Sequence, residues 1–172
     1  MHSPKANDLR LKINPSRLKP EQVTLVPELV TEVTTTRGLD LTGRTGPLAT
    51  AIRRLRRRGI RVSLFVEPDA RQMTAAAALG ADIVELNTDR YSTDLRHRAR
   101  LLSELAGAAV AAREHGLVVH VGHGLDYLNV VPILAMDIAE GYSIGFAIVA
   151  RAVMLGLREA VAEMKRILEV YS

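Results

Sequence analysis

Apolar positions along the chain fall into short dense blocks, and each block follows a longer stretch in which apolar residues recur every three or four positions. "LATAIRRLRRRG" leads into "IRVSLFVEPD", "ARQMTAAAALG" into "ADIVELNTD", and "LLSELAGAAVAAREHG" into "LVVHVGHG". The spaced stretches predict helices, and the dense blocks predict strands covered on both faces. Gly59, Gly80 and Gly116 stand between them, where a helix ends on a residue of positive φ. "QVTLVPE" (Gln22 to Glu28) adds a strand before these units and "YSIGFAIV" (Tyr142 to Val149) one after, followed by an amphipathic helix through "LREAVAEMKRILEV". Five strands alternating with helices predict an α/β fold with a parallel sheet.

Such units build either an open doubly wound sheet or part of a (β/α)8 barrel. An open nucleotide-binding sheet calls for G-x-G-x-x-G after its first strand, and "VPELVTEVTTTRGLD" has none. Polar residues gather instead after every strand: Glu28, Glu67 and Asp69, Glu85 and Asn87, His123, then Gly145. Barrel enzymes assemble their sites from several strands on that C-terminal face, which favours the barrel. A full barrel takes about 200–250 residues, so 172 residues predict an incomplete one of about five βα units. Two sheet edges and the inner face are then expected to be uncovered. No Pro- or Ser-rich linker divides the chain, and a single domain over 1–172 is expected.

Composition narrows the setting. The chain has no cysteine, which removes disulfides and thiolate metal sites. The N-terminus lacks the apolar core of a secretory signal, and no later run is long enough to span a bilayer, so a soluble cytoplasmic protein is expected. The net charge is +4, with much of the excess in "RRLRRR", Arg53 to Arg58. Aromatics are only 3%, too few for base-stacking platforms, and no nucleic-acid or membrane partner is expected. A solvated helix face explains the arginines best; an anion-attracting surface or an oligomer contact comes second.

Candidate chemistry collects at the strand ends. Gly122 and Gly124 let the backbone turn sharply and approach a ligand, and their amides could cradle an anion while His123 exchanges a proton. A structural histidine capping a turn is the alternative, and the flanking glycines favour the functional reading. Gly145 opens "FAIVARAVMLGL", whose first amides could hold a phosphate as in the last loops of barrels. Close strand–helix packing would equally explain that glycine. Glu85 alternates with Val84 and Leu86 and should face the barrel mouth, either as an acid–base group of raised pKa or in an ion pair with a cation such as Arg151. Thr34, Thr35 and Thr36 lie in a polar loop, where ordinary solvation competes with ligand contact.

The segments "VTLVPELVTEVTTTRGLDL", "RVSLFVEPDARQMTAAAALGADIVELNTDRY", "GLVVHVGHGLDYLNV" and "IGFAIVARAVMLGLREAVAEMKRIL" resemble, in order, the pyridoxine 5′-phosphate synthase family. The resemblance covers about Gln22 to Leu168 and leaves residues 1–20 poorly matched. It implies a (β/α)8 homo-oligomer, a transferase that condenses 1-deoxy-D-xylulose 5-phosphate with 3-amino-2-oxopropyl phosphate, with neither a metal nor a cofactor. By that resemblance His123 matches a proton donor, Gly124 and Gly145 match phosphate-contacting glycines, Glu85 matches a glutamate of the active-site mouth, and Thr34 matches a threonine touching the xylulose phosphate.

There are departures. The family's Asn–x–Asp–His, His–Leu–Arg–Glu–Asp–Arg and Asn–Leu–Glu–Met segments, which supply two proton acceptors and several phosphate ligands, are not found in the 172 residues. Phe146 stands beside the phosphate position where the family usually has histidine, Asn87 and Leu128 where it has or often has histidine, and Leu29 where it has lysine. Three readings follow: a pyridoxine 5′-phosphate synthase of impaired competence, a non-catalytic phosphate-binding or oligomer-forming relative, or a fragment of a split or misassigned enzyme.

Overall fold

The computed structural model describes residues 19–27 and 37–171. Its strands are β1 (Gln22–Leu25), β2 (Arg61–Val66), β3 (Ile83–Asn87), β4 (Val118–Gly122) and β5 (Gly141–Ser143). Between and after them lie α1 (Gly46–Arg56), α2 (Ala70–Leu79), α3 (Asp89–Thr93), α4 (Arg98–Glu114), α5 (Val130–Leu134), α6 (Phe146–Leu155) and α7 (Leu157–Tyr171). All four strand pairings are parallel and the order is β1-β2-β3-β4-β5. A doubly wound sheet reverses its strand order partway, whereas here each strand lies beside the next in sequence, as in a barrel wall.

Sequence alternation sets the two faces of the sheet. Val62, Leu64, Val66, Val84, Leu86, Val119 and Val121 are fully buried and pack against Leu48 and Ile52 of α1, Met73 of α2, and Leu101 and Leu105 of α4. Each such side chain contributes about 1.5–3 kcal/mol, so this helix-covered layer carries most of the stabilisation. The helices stop where the glycines predict: Gly59, Gly80 and Gly116 have φ of +74°, +81° and +73°. The arginines of α1 lie on its exposed side, and Arg56 reaches back to the Gly80 carbonyl (3.0 Å) and to Asp82 (3.3 Å).

The opposite face curls into a half-barrel. In a flat sheet, strands two apart are separated by about 9.5 Å. Here the Thr24 hydroxyl of β1 donates to Glu85 Oε2 of β3 at 3.4 Å, and the Ser143 side chain of β5 also hydrogen-bonds that carboxylate. One expectation is corrected in part: the inner face is not open over β2 and β3, although Ser143 on β5 stays exposed. Ser63 and Ile83 are 0% exposed, Phe65 4% and Glu85 9%.

The last strand is shorter than the sequence suggests. Tyr142 to Val149 reads as one apolar block, yet β5 ends at Ser143 and α6 begins at Phe146. Short apolar runs do not distinguish buried strand from helix by periodicity alone, and Gly145 separates the two here. Helix α6 leaves Phe146, Val153 and Met154 more than 80% exposed. After Gly156 (φ +81°) the chain turns back into α7, where Glu163 takes both Arg151 Nε and Nη2 at 2.8 Å.

Candidate functional site

The C-terminal ends of β2 to β5 surround a cavity of about 490 Å3 lined by Phe65, Glu85, His123, Gly124, Ser143, Gly145 and Phe146, among others. Glu85, His123 and Gly145, chosen in the sequence on separate grounds, therefore meet in one space. The register explains the convergence: Glu85 pairs with Phe65 on one side and His120 on the other, and Gly122 pairs with Ser143 one step nearer the mouth.

Burial pushes the Glu85 carboxyl up from its ordinary range, with hydrogen bonds from Ser143 and Thr24 and the neighbouring His123 opposing that rise. The ion pair with Arg151 does not form, because Glu163 holds that guanidinium on the α6–α7 surface. His120, level with Glu85 on β4, is pushed down by burial.

Two of the glycines have a packing role that the sequence does not show. A Cβ at Gly122 would lie 2.4 Å from Glu85 Oε1 and 2.8 Å from Ser143 Cβ, and one at Gly124 would lie 2.1 Å from Ser92 Oγ. The space at both is taken up by protein side chains, so their missing Cβ atoms admit neighbours rather than a ligand. At Gly145, by contrast, a Cβ would meet nothing within 4 Å. The left-handed residues of the turn are His123 (φ +80°) and Gly124 (φ +73°). For histidine that conformation costs about 1–2 kcal/mol.

Local hydrogen bonds hold the strained turn. Thr88 occupies the N-cap position of α3 yet makes no cap hydrogen bond; its single hydroxyl proton is shared between the carbonyls of Gly122 (2.8 Å) and His123 (2.5 Å). Asn129 Nδ2 donates to the Gly124 carbonyl at 3.0 Å. The His123 ring then lies 6.4 Å from the Phe65 ring, with Nε2 3.6 Å from Asp89 Oδ1.

At the other side of the cavity α6 starts at Gly145 without a side-chain cap. The first-turn amides of a ten-residue helix are suited to an anion, and the His123 imidazole and the buried Glu85 carboxyl stand across from them. Phe146 is 90% exposed on the rim and contributes no charge there.

Thr34, Glu28 and Leu29 lie outside the described residues. Glu67, Asp69 and Asn87 line a second, polar cleft of about 760 Å3, together with Arg37, Asp40, Arg71 and Asp89. Their visible work there is structural. Glu67 Oε1 accepts from Gly38 N and Asn87 Nδ2, both at 2.8 Å, and Asp69 caps α2 through Arg71 N at 2.9 Å. The Arg71 guanidinium holds the Asp69 carboxyl below its usual range.

Thr24, Phe65, Asp89, His120 and Ser143 also surround Glu85 and His123, and the sequence does not single them out. Strand alternation, extended from Glu85 across a parallel register, points to Phe65 and His120. Asp89 follows a strand in "NTDRY", which reads as an ordinary turn.

Comparison with known proteins adds to this geometry. Residues 7–170 match the family model described as pyridoxal phosphate biosynthesis protein PdxJ. A protein of Magnetococcus marinus named pyridoxine 5′-phosphate synthase is 49% identical over 154 residues, covering 88% of this chain and 63% of its own length. Proteins of the same name from Rhodopirellula baltica and Pelobacter propionicus are 45% and 43% identical over 157 and 155 residues. Each match covers 89% of this chain, and 63% and 65% of those relatives respectively. The chain thus spans a little under two thirds of the length of these relatives.

Proposed function

The chain belongs to the pyridoxal phosphate biosynthesis PdxJ family, and on that premise we propose that it serves the synthesis of pyridoxine 5′-phosphate by holding a phosphorylated substrate and moving a proton beside it. The reaction is the condensation of 1-deoxy-D-xylulose 5-phosphate with 3-amino-2-oxopropyl phosphate. One observation carries the reading: Glu85, His123 and the open start of α6 at Gly145 share one cavity of about 490 Å3. In this reading the amides from Gly145 onward receive a phosphate, with the Gly122 and Gly124 amides on the facing turn. His123 donates a proton, and the buried Glu85 carboxyl takes or returns one. Thr34 contacts the xylulose phosphate. The protein acts as a cytoplasmic homo-oligomer on small phosphorylated substrates, with no metal, cofactor, nucleic acid or membrane.

Among the described residues the cavity offers one imidazole, His123, and one carboxyl, Glu85, whereas the condensation moves protons at several carbons. Loss of a general acid–base group typically lowers the rate by about 10²–10⁴, so turnover by this polypeptide alone should be severely reduced. A second reading, a phosphate-binding relative without catalysis, is supported by the exposed, uncharged Phe146 on the rim.

The test is an assay of the polypeptide with both substrates, repeated with a separately expressed N-terminal segment from a relative, and calorimetry with pyridoxine 5′-phosphate. Turnover restored by the segment supports the enzyme reading, and binding without turnover in either assay supports the second. No heat at millimolar ligand removes both.

A further inference from the structure

We propose that Asp89 is a positioning residue for His123: its carboxylate holds the imidazole at the cavity mouth with Nε2 turned toward it. The pair meets at 3.6 Å, with side chains 32% and 26% exposed, at the boundary between the two clefts. Asp89 lines the polar cleft and His123 lines the cavity of the proposed site, so the contact fixes the ring from behind.

Both partners have their backbones pinned. The Asp89 N–H donates to Asn87 Oδ1 at 3.0 Å, and its carbonyl accepts from Ser92 Oγ and Thr93 Oγ1, each at 2.8 Å. His123 is held at φ +80° by the Thr88 hydroxyl, and Gly124 packs directly over Ser92. Residues on both sides of Asp89 therefore clamp the turn that carries His123. A non-glycine residue kept in the left-handed region persists only where its surroundings over-determine it.

An acidic residue in a first helical turn has an ordinary explanation, attraction to the helix N-terminus. That explanation is weak here, since α3 has only five residues and Thr88 turns its hydroxyl away from the helix amides. Among the described residues, His123 is the charged or titratable group that the Asp89 carboxylate meets at ion-pair distance. Phe65 bounds the ring elsewhere without fixing either nitrogen, and Glu85 acts on it across the cavity through charge. A carboxylate facing Nε2 keeps the proton of the neutral ring on that nitrogen and the ring in one orientation.

The relevance of this role rests on the proposed function, but its test does not. The chain is labelled with 15N-histidine and its long-range 1H–15N spectra are recorded without ligand, about two units above the ordinary imidazole pKa of ~6.5. In the wild type, His123 should show one tautomer with protonated Nε2. In Asp89→Ala its two nitrogen signals should move toward each other by about a fifth of the separation between a protonated and a bare ring nitrogen. Asp89→Glu should restore at least half of that movement. His115, whose Nε2 lies 3.0 Å from Thr74 Oγ1, is the internal control and should not move.

Asp89→Ser, too short to reach the ring and well suited to a helix start, replaces the alanine variant if that loses native signal dispersion. Unchanged His123 nitrogens in whichever variant is folded overturn the proposal. Adding pyridoxine 5′-phosphate to the same samples tests the proposed function separately: a His123 signal indifferent to ligand counts against that reading and leaves the Asp89 result standing.

Discussion

Substituting Gly122 with alanine tests whether the inner face is organised around Glu85. Gly122 is not among the positive-φ residues, so the substitution imposes no backbone strain and its cost is steric. The new Cβ would sit 2.4 Å from Glu85 Oε1, about 1 Å inside ordinary contact, and 2.8 Å from Ser143 Cβ. Ser143 Cβ is fixed by the β4–β5 pairing of Gly122 with Ser143 and cannot rotate away. The Glu85 carboxyl can rotate, but only by giving up its hydrogen bonds to Thr24 and Ser143 inside a buried layer. Overpacking costs about 1–3 kcal/mol and each lost hydrogen bond about 0.5–1.5 kcal/mol, so with two such bonds given up a loss of about 2–6 kcal/mol is expected. At about 2–4 °C per kcal/mol for a domain of this size, the midpoint should fall by roughly 4–24 °C in thermal unfolding followed by circular dichroism. The decisive comparison is the same substitution in an Glu85→Ala background, where the closer clash is gone and the cost should at least halve. A midpoint within about 1 °C of the wild type, or an undiminished loss in the double variant, would refute the reasoning.

Three further outcomes follow from the same geometry. Because burial raises the folded-state pKa of Glu85, its contribution to stability is complete below the unfolded carboxyl range and is lost as pH rises through the raised value. Urea unfolding from pH 4 to 8 should therefore show Glu85→Gln gaining on the wild type as pH increases, and parallel curves would contradict this. Gly145→Val places its side chain in open space, so it should leave the unfolding midpoint within about 2 °C while lowering phosphate-ester affinity at least tenfold by calorimetry. Unchanged affinity would remove Gly145 from the site. The exposed Phe146, Val153 and Met154 should drive association, which light scattering reads as a dimer or larger species; a monodisperse monomer at 1 mg/mL (roughly 50 µM) would count against it.

The fold was legible where pattern and local rule agree. Apolar blocks between Gly59, Gly80 and Gly116 marked β2, β3 and β4, since a left-handed helix end and a doubly covered strand both leave a trace in the residues themselves. The end of β5 was not, because "YSIGFAIV" satisfies strand and helix equally until α7 is there to pack against α6. That Glu85, His123 and Gly145 lie toward the C-terminal ends of their strands, where they line one cavity, was legible in the sequence. The reasons for Gly122 and Gly124 were not: what fills their missing Cβ space is Glu85 and Ser92, from distant elements. Thr24, Ser143 and Asp89 were hidden for the same reason, as each acquires its meaning only from sheet curvature or from a loop folded over a neighbouring strand.

The hydrogen bonds on Glu85 have a consequence for the order of assembly. Thr24 is 61 positions from Glu85 in the chain, and Ser143 lies on the far edge strand, so loop closure delays both contacts relative to the β2–β3–β4 pairings. A folding chain with those three central strands in place would have a sheet and a helix layer but a Glu85 that still lacks Thr24 and Ser143, and its carboxyl should titrate nearer its ordinary range. The carboxyl gains both of its hydrogen-bond donors only when the two outer strands are in place. Its shifted titration is therefore a late marker of folding, and amide exchange or a pulse of acid during refolding should find the central strands protected before Glu85 ceases to titrate normally.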